Sequence, residues 1–286
     1  MNSKALAIPP ASVFGRSYMY TKNDILRQLM EMGVPQDRPV LIHSSLKRIG
    51  EVEGRADGLI DALCEHICAR GGLLCIPTHT WANLGKDVIT LDMVEGKTCI
   101  GTLPDIAAKR KDAFRSLHPT HSMAVFGEGA EEFVRGEGSY GTPADPRGCY
   151  GRIYERDGYI LLAGVGHNRN TYLHCVEEML DVPNRLASEE TKVSIRLPSG
   201  EIEHSATRGH FAKGIDDVSA QFPNYEEAFR YHGAIRYGRI GNADTQLCSA
   251  RIMKDVMALI YERSGGAELL DRIRVIPNKY HEVHNG

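Results

Sequence analysis

Three short apolar runs, Pro39 to His43, Leu73 to Ile76 and Tyr159 to Ala163, each stop at small or polar residues. The stops are Ser44-Ser45, Pro77-Thr78-His79-Thr80 and Gly164-Val165-Gly166. Around the runs, apolar residues recur at helical spacing. Leu59, Ile60, Leu63, Ile67 and Cys68 share one helical face until Gly71-Gly72 ends it. Ile25, Leu26, Leu29 and Met30 do the same between a capping box at Thr21 to Asp24 and Gly33. Strand, helix and strand in alternation predict an α/β fold: one layered domain with a central mixed sheet, partly parallel, flanked by helices.

The rest of the chain supplies weaker signals. Ser122 to Phe126 reads as a strand, and residues 103–109, 130–134 and 150–156 as short helical stretches. Val193 to Leu197 and Glu201 to His204 form a hairpin candidate across Pro198-Ser199-Gly200. Helical patterns cover 224–232 and 246–262. Residues 81–98 are a polar, acidic loop, long enough to suggest function. Pro9-Pro10 disfavours helix in residues 1–20, which read as an irregular arm before a single domain over 21–286.

Composition narrows the classes. A net charge of −3 without a basic stripe argues against nucleic acid. No apolar run approaches the roughly 18 residues of a membrane span, and residues 1–20 lack the apolar core of a signal peptide. Seven scattered cysteines suit reduced thiols, so a cytoplasmic protein is expected.

Ligands of open α/β sheets bind at the carboxyl ends of strands, so the three polar stops can converge on one cleft. The glycine turn at Gly164 leads into a helix carrying His174, with Glu177 three residues on and on the same face. A neutral imidazole beside such a turn is suited to general-base work near pH 7. A different assembly, a hydrolytic metal site from His79, His118, His121, His174 and Glu177, lacks an HExxH or paired Cys/His signature. No metal is expected.

Four blocks together resemble the aminoglycoside N3-acetyltransferase family, antibiotic acetyltransferases that do not have the GNAT fold. They are Leu41-Ile42-His43-Ser44-Ser45-Leu46, the stretch Gly71 to Thr80, Arg115-Ser116-Leu117-His118-Pro119-Thr120-His121-Ser122, and Leu161 to Gly164 with Asn170-Thr171-Tyr172-Leu173-His174 and Glu177. They occur in the family's order over roughly residues 20 to 265.

The resemblance implies direct transfer of acetyl from acetyl-CoA to an amine of a cationic aminoglycoside, by a monomer or homodimer. His174 is then the base, and Asp216, Asp217 or Glu177 the carboxylate that orients it. In the family that acid lies some tens of residues downstream and is a glutamate, where this chain has the aspartates. Thr171 either caps its helix or donates to the thioester oxygen. Ser44, Ser45, Leu46, Thr78, Arg115, Ser116, His118, Ser122 and Gly164 fall where the coenzyme is expected. Asp87, Asp92 and Glu95, with His79, are expected to meet the substrate. A family member acting on a non-antibiotic amine is the alternative.

Overall fold

The computed structural model of the protein describes residues 12–13 and 16–265. The capping box forms: the Thr21 hydroxyl accepts the Asp24 N–H (3.2 Å), and the Asp24 carboxylate accepts the Thr21 N–H (3.0 Å). It starts helix Lys22–Glu31, which buries Ile25 and Leu29. Helix Arg55–Ile67 buries its own apolar stripe, Leu59, Ile60, Leu63 and Ile67, on the same side of the sheet.

Among the described residues, seven strands form the main sheet. Its centre is parallel: Pro39–Ser44 lies between Tyr159–Ala163 and Leu73–Pro77. Antiparallel strands complete both flanks. Met123–Phe126 and then Phe114–Arg115 extend the Leu73 side, while Ala243–Ser249 and then Ile235–Ile240 extend the Tyr159 side.

Every central strand is covered on both faces, which is why each reads as a continuous apolar run. Side chains alternate between two cores. Val40, Ile42, Leu74, Ile76, Leu161 and Ala163 face helices Lys22–Glu31 and Arg55–Ile67. Leu41, Leu73, Cys75, Ile160 and Leu162 face the opposite layer, made of helices Cys149–Glu155, Tyr172–Met179, Glu226–Tyr231 and Ala250–Arg263.

Two segments differ from the sequence reading. The pattern over 246–262 divides at Ser249. Residues 246–249 end strand Ala243–Ser249, and the helix begins at Ala250, with the Ser249 hydroxyl accepting the Ile252 N–H. Leu247 and Cys248 are both buried because the strand faces a core on each side, and an adjacent apolar pair does not show a strand's alternation. The acidic loop also contributes structure. Leu91–Asp92 pairs with Thr191–Arg196, which pairs with Ile202–Thr207 in a small separate sheet holding the expected hairpin. Of residues 1–20, those before Ser12 and residues 14–15 lie outside the described residues, as do residues 266–286. Among the described residues no helix is long and apolar enough to cross a membrane.

Gly164 illustrates a local demand of this packing. Its φ is +70°, and a Cβ there would come within 2.8 Å of Arg48 Cβ and 3.1 Å of Ala243 Cβ. Substitution combines left-handed strain with a clash against side-chain stems. Gly164→Ala should lower folding stability by about 2 kcal/mol or more. A thermal melt that coincides with wild type would refute this.

Candidate active site

The carboxyl ends of the three parallel strands open onto a cavity of about 850 Å³. His43, His79, His121, Thr171, His174 and His210 are among its walls. His174 lies in the first turn of helix Tyr172–Met179, and its side chain is 13% exposed. Its Nδ1 is 3.2 Å from Glu177 Oε2, and Glu177 Oε1 accepts the Nε–H of Arg185 at 2.7 Å. Glu177 and Arg185 side chains are 1% and 7% exposed. The imidazole stacks on His210 at 4.0 Å between centroids and meets Phe222 edge-on at 4.7 Å.

The carboxylate bonded to His174 is therefore Glu177. Asp216 and Asp217 border the cavity from exposed positions. Asp217 Oδ1 accepts from the Ser219 amide and hydroxyl and from the Ala220 amide, an arrangement that organises its own turn. Thr171 lines the cavity, but its hydroxyl makes no cap bond, because its φ of −61° and ψ of −23° are already helical.

Imidazoles continue away from His174. His210 lies 5.1 Å from His121, and His121 lies 4.4 Å from His79, between ring centroids. His79 Nε2 is 2.7 Å from the Tyr150 hydroxyl. His118 Nδ1 accepts the N–H groups of Thr120 and His121 (3.1 and 2.9 Å), so the proton sits on Nε2 and is donated to the Thr142 carbonyl. Burial pushes His79, His121 and His210 well below the ordinary histidine value, and repulsion among neighbouring imidazoles adds to it. Burial alone lowers His43 to about 3. These rings are neutral at pH 7. Among the described residues no group of three or more His, Cys, Asp or Glu side chains is placed to share a metal ion.

The residues expected at the coenzyme divide. Ser44 lines the cavity. The Ser45 amide donates to the Ala163 carbonyl (2.9 Å), and Leu46 packs on the core. Thr78, Ser122 and Arg115 bond to one another behind the cavity: Arg115 Nε donates to both hydroxyls (3.1 and 3.3 Å) and its NH2 to the Thr78 carbonyl (3.0 Å). Ser116 Oγ accepts the Met123 N–H. Gly164 faces Arg48, whose guanidinium donates to the Gly164 carbonyl (3.0 Å). These groups brace strand ends.

Of the residues expected at the substrate, His79 lines the cavity, whereas Asp87, Asp92 and Glu95 do not. Asp92 is held by the Val94 and Glu95 amides and by Arg196. Sequence reasoning assigned no role to His210, Tyr150 or Arg185, and left His121 only in the metal alternative. Tyr150 and His210 are distant in sequence from the rings they meet, His121 is distant from His79, and Arg185 lies eight residues from Glu177, so no helical spacing marks these contacts.

The chain belongs to the aminoglycoside 3-N-acetyltransferase family, whose model matches residues 41–262. It is 31% identical over 166 residues to aminoglycoside N(3)-acetyltransferase IV of Salmonella sp, covering 58% of this chain and 62% of that relative. It is 27% identical to aminoglycoside N(3)-acetyltransferase VII of Streptomyces paromomycinus, covering 87% and 93%. Its fold matches a mutant of the acetyltransferase AAC(3)-IVa in complex with apramycin (TM-score 0.72, 25% identity, 88% of this chain and 96% of that chain). It also matches AAC-IIIb binary with CoASH (TM-score 0.74, 19% identity, 86% and 98%), a likeness of fold.

The neutral cluster makes stability pH-dependent. Below the ordinary value of 6.5 the unfolded chain protonates these histidines while the folded protein does not, so the unfolded state binds more protons. Their contribution is complete above pH 6.5 and is lost as pH falls, by up to about 1.4 kcal/mol per pH unit for each ring. The thermal midpoint should therefore drop steeply between about pH 6.5 and 5, before the carboxylates protonate. A midpoint flat across that window would contradict the assignment of neutral rings.

Proposed function

We propose that this protein transfers the acetyl group of acetyl-CoA directly to an amine of a 2-deoxystreptamine aminoglycoside, with His174 as general base. The transfer is to nitrogen 3, a resistance activity of the cytoplasm. The observation that carries the reading is the buried Arg185–Glu177 pair holding Nδ1 of a cavity-lining imidazole. That bond leaves Nε2 for the substrate.

An aminoglycoside amine is largely an ammonium at neutral pH, and only its free base attacks a thioester. The balance is ammonium plus acetyl-CoA giving amide, coenzyme thiol and one proton. One ammonium proton is released to give the free amine. As its lone pair forms the C–N bond, the C–S bond breaks and His174 Nε2 takes a second nitrogen proton. Glu177 stabilises the resulting imidazolium. That proton then passes to the departing thiolate to give the coenzyme thiol. Thr171 lines the same cavity, and in this reading its hydroxyl donates to the thioester oxygen as it gains charge. Acetyl passes from sulfur to nitrogen without an acyl-enzyme.

One observation favours a second reading, a less cationic amine as acceptor. Asp216 and Asp217 are the carboxylates among the cavity's lining residues, while Asp87 and Glu95 lie elsewhere. A polycation is ordinarily matched by more opposite charge.

Thiol release from acetyl-CoA, measured against aminoglycosides and simpler amino sugars with product NMR, distinguishes these readings. Turnover confined to amino sugars would remove the antibiotic from the first. His174→Gln should reduce kcat by about 10²- to 10⁴-fold while leaving acetyl-CoA binding within about twofold. Wild-type turnover in that variant would discard His174 as the base.

A further inference from the structure

The Glu177 carboxylate sits between two cavities. His174, but not Glu177, lines the larger one. Glu177 lines a second, of about 580 Å³, with Thr142, Glu178, Arg185 and Arg208 also in its walls and His174 absent from them. Glu177 thus has a space to turn toward, away from the imidazole. Its contact with His174 is also an ordinary one for a flexible side chain, at 3.2 Å.

We propose that Arg185 is a positioning residue that acts on the reaction through Glu177, holding the ionised carboxylate against His174 so that the imidazole can accept the substrate proton. Arg185 Nε binds the far oxygen of Glu177, while its NH1 donates to the Asn184 and Pro183 carbonyls (3.0 and 3.4 Å). That fixes the guanidinium to a turn in which Asn184 has a φ of +59°. The same turn holds the other side of the imidazole. The Arg185 carbonyl accepts the Phe211 N–H (3.1 Å), the Asn184 side chain pairs with the Lys213 backbone, and Leu186 bridges to His210, which stacks on His174.

Charge makes the dependence specific. A carboxylate this buried stays ionised only with a counter-charge, and Arg185 is the permanent cation bonded to it. Without that cation the buried carboxylate loses its counter-charge and the bond that holds it against the imidazole. The titratable groups facing His174 are Glu177 and Glu178 on its helix, His79 and His121 from the strand ends, and His210. Of these, Glu177 alone is bonded to Nδ1.

The kinetic arm of the test rests on the acetyl-transfer reading, but the spectroscopic arm does not. Imidazole ¹⁵N shifts of His174, identified by their loss in His174→Gln, are titrated in wild type, Arg185→Met, Arg185→Lys, Glu177→Gln and the Glu177→Gln/Arg185→Met double variant. Arg185→Met should move the His174 midpoint down to that of Glu177→Gln. It should lower kcat about 100-fold with KM for acetyl-CoA within about twofold. Arg185→Lys should recover the midpoint, and Arg185→Met added to Glu177→Gln should change neither quantity further. A folded Arg185→Met protein with a wild-type His174 midpoint overturns the proposal, as does a further loss in the double variant. Should Arg185→Met not fold, Arg185→Gln, which keeps an N–H donor without the charge, replaces it in each comparison. If wild type transfers no acetyl group, the acetyl-transfer reading fails and the titration still decides the role of Arg185.

Discussion

Parallel pairing of Tyr159–Ala163 with Pro39–Ser44, and of Pro39–Ser44 with Leu73–Pro77, is the constraint on which the site depends. The register sets Ala163 level with Ser44, so both strands stop at one edge of the sheet. Parallel strands all point their carboxyl ends the same way, and whatever follows each strand must emerge together. Ser44, His79 and the turn leading to His174 are neighbours for that reason. The antiparallel flanks widen the sheet without moving this edge, and two helical layers remove its faces from water.

Within the cleft, electrostatics follows from how much charge the interior can hold. The buried imidazoles are neutral, since protonating several rings 4 to 5 Å apart would add repulsion to the loss of hydration. The charge kept beside His174 is the Glu177–Arg185 pair, bonded at 2.7 Å and almost wholly enclosed. Buried pairs of this kind contribute little to stability compared with apolar packing. In the proposed reaction their value lies in orientation, because an ionised carboxylate beside Nδ1 makes the opposite nitrogen a better proton acceptor.

Two kinds of residue were legible before folding. Apolar runs and capping signals depend on near neighbours, so the central strands, the Thr21 capping box and the His174–Glu177 spacing could be read directly. Strand Ala243–Ser249 could not, since Leu247 and Cys248 meet different cores and carry no period-two signal. Nor could the bracing role of Thr78, Ser122 and Arg115. Hydroxyls at strand ends look alike whether they meet a ligand or, as here, each other across 44 residues.

By itself, the sequence determined the layered α/β class, the three strand ends and a histidine placed in the first turn of a helix, because these rest on periodicity and short-range capping. Tertiary structure alone decided which acid is bonded to that histidine. Asp216 and Asp217 remained candidates until the chain closed, when Asp217 turned to cap its own loop and Glu177 was enclosed against Arg185. The choice depends on burial and on a counter-charge eight residues further along the chain. Neither is a local property of the residues that compete for the role.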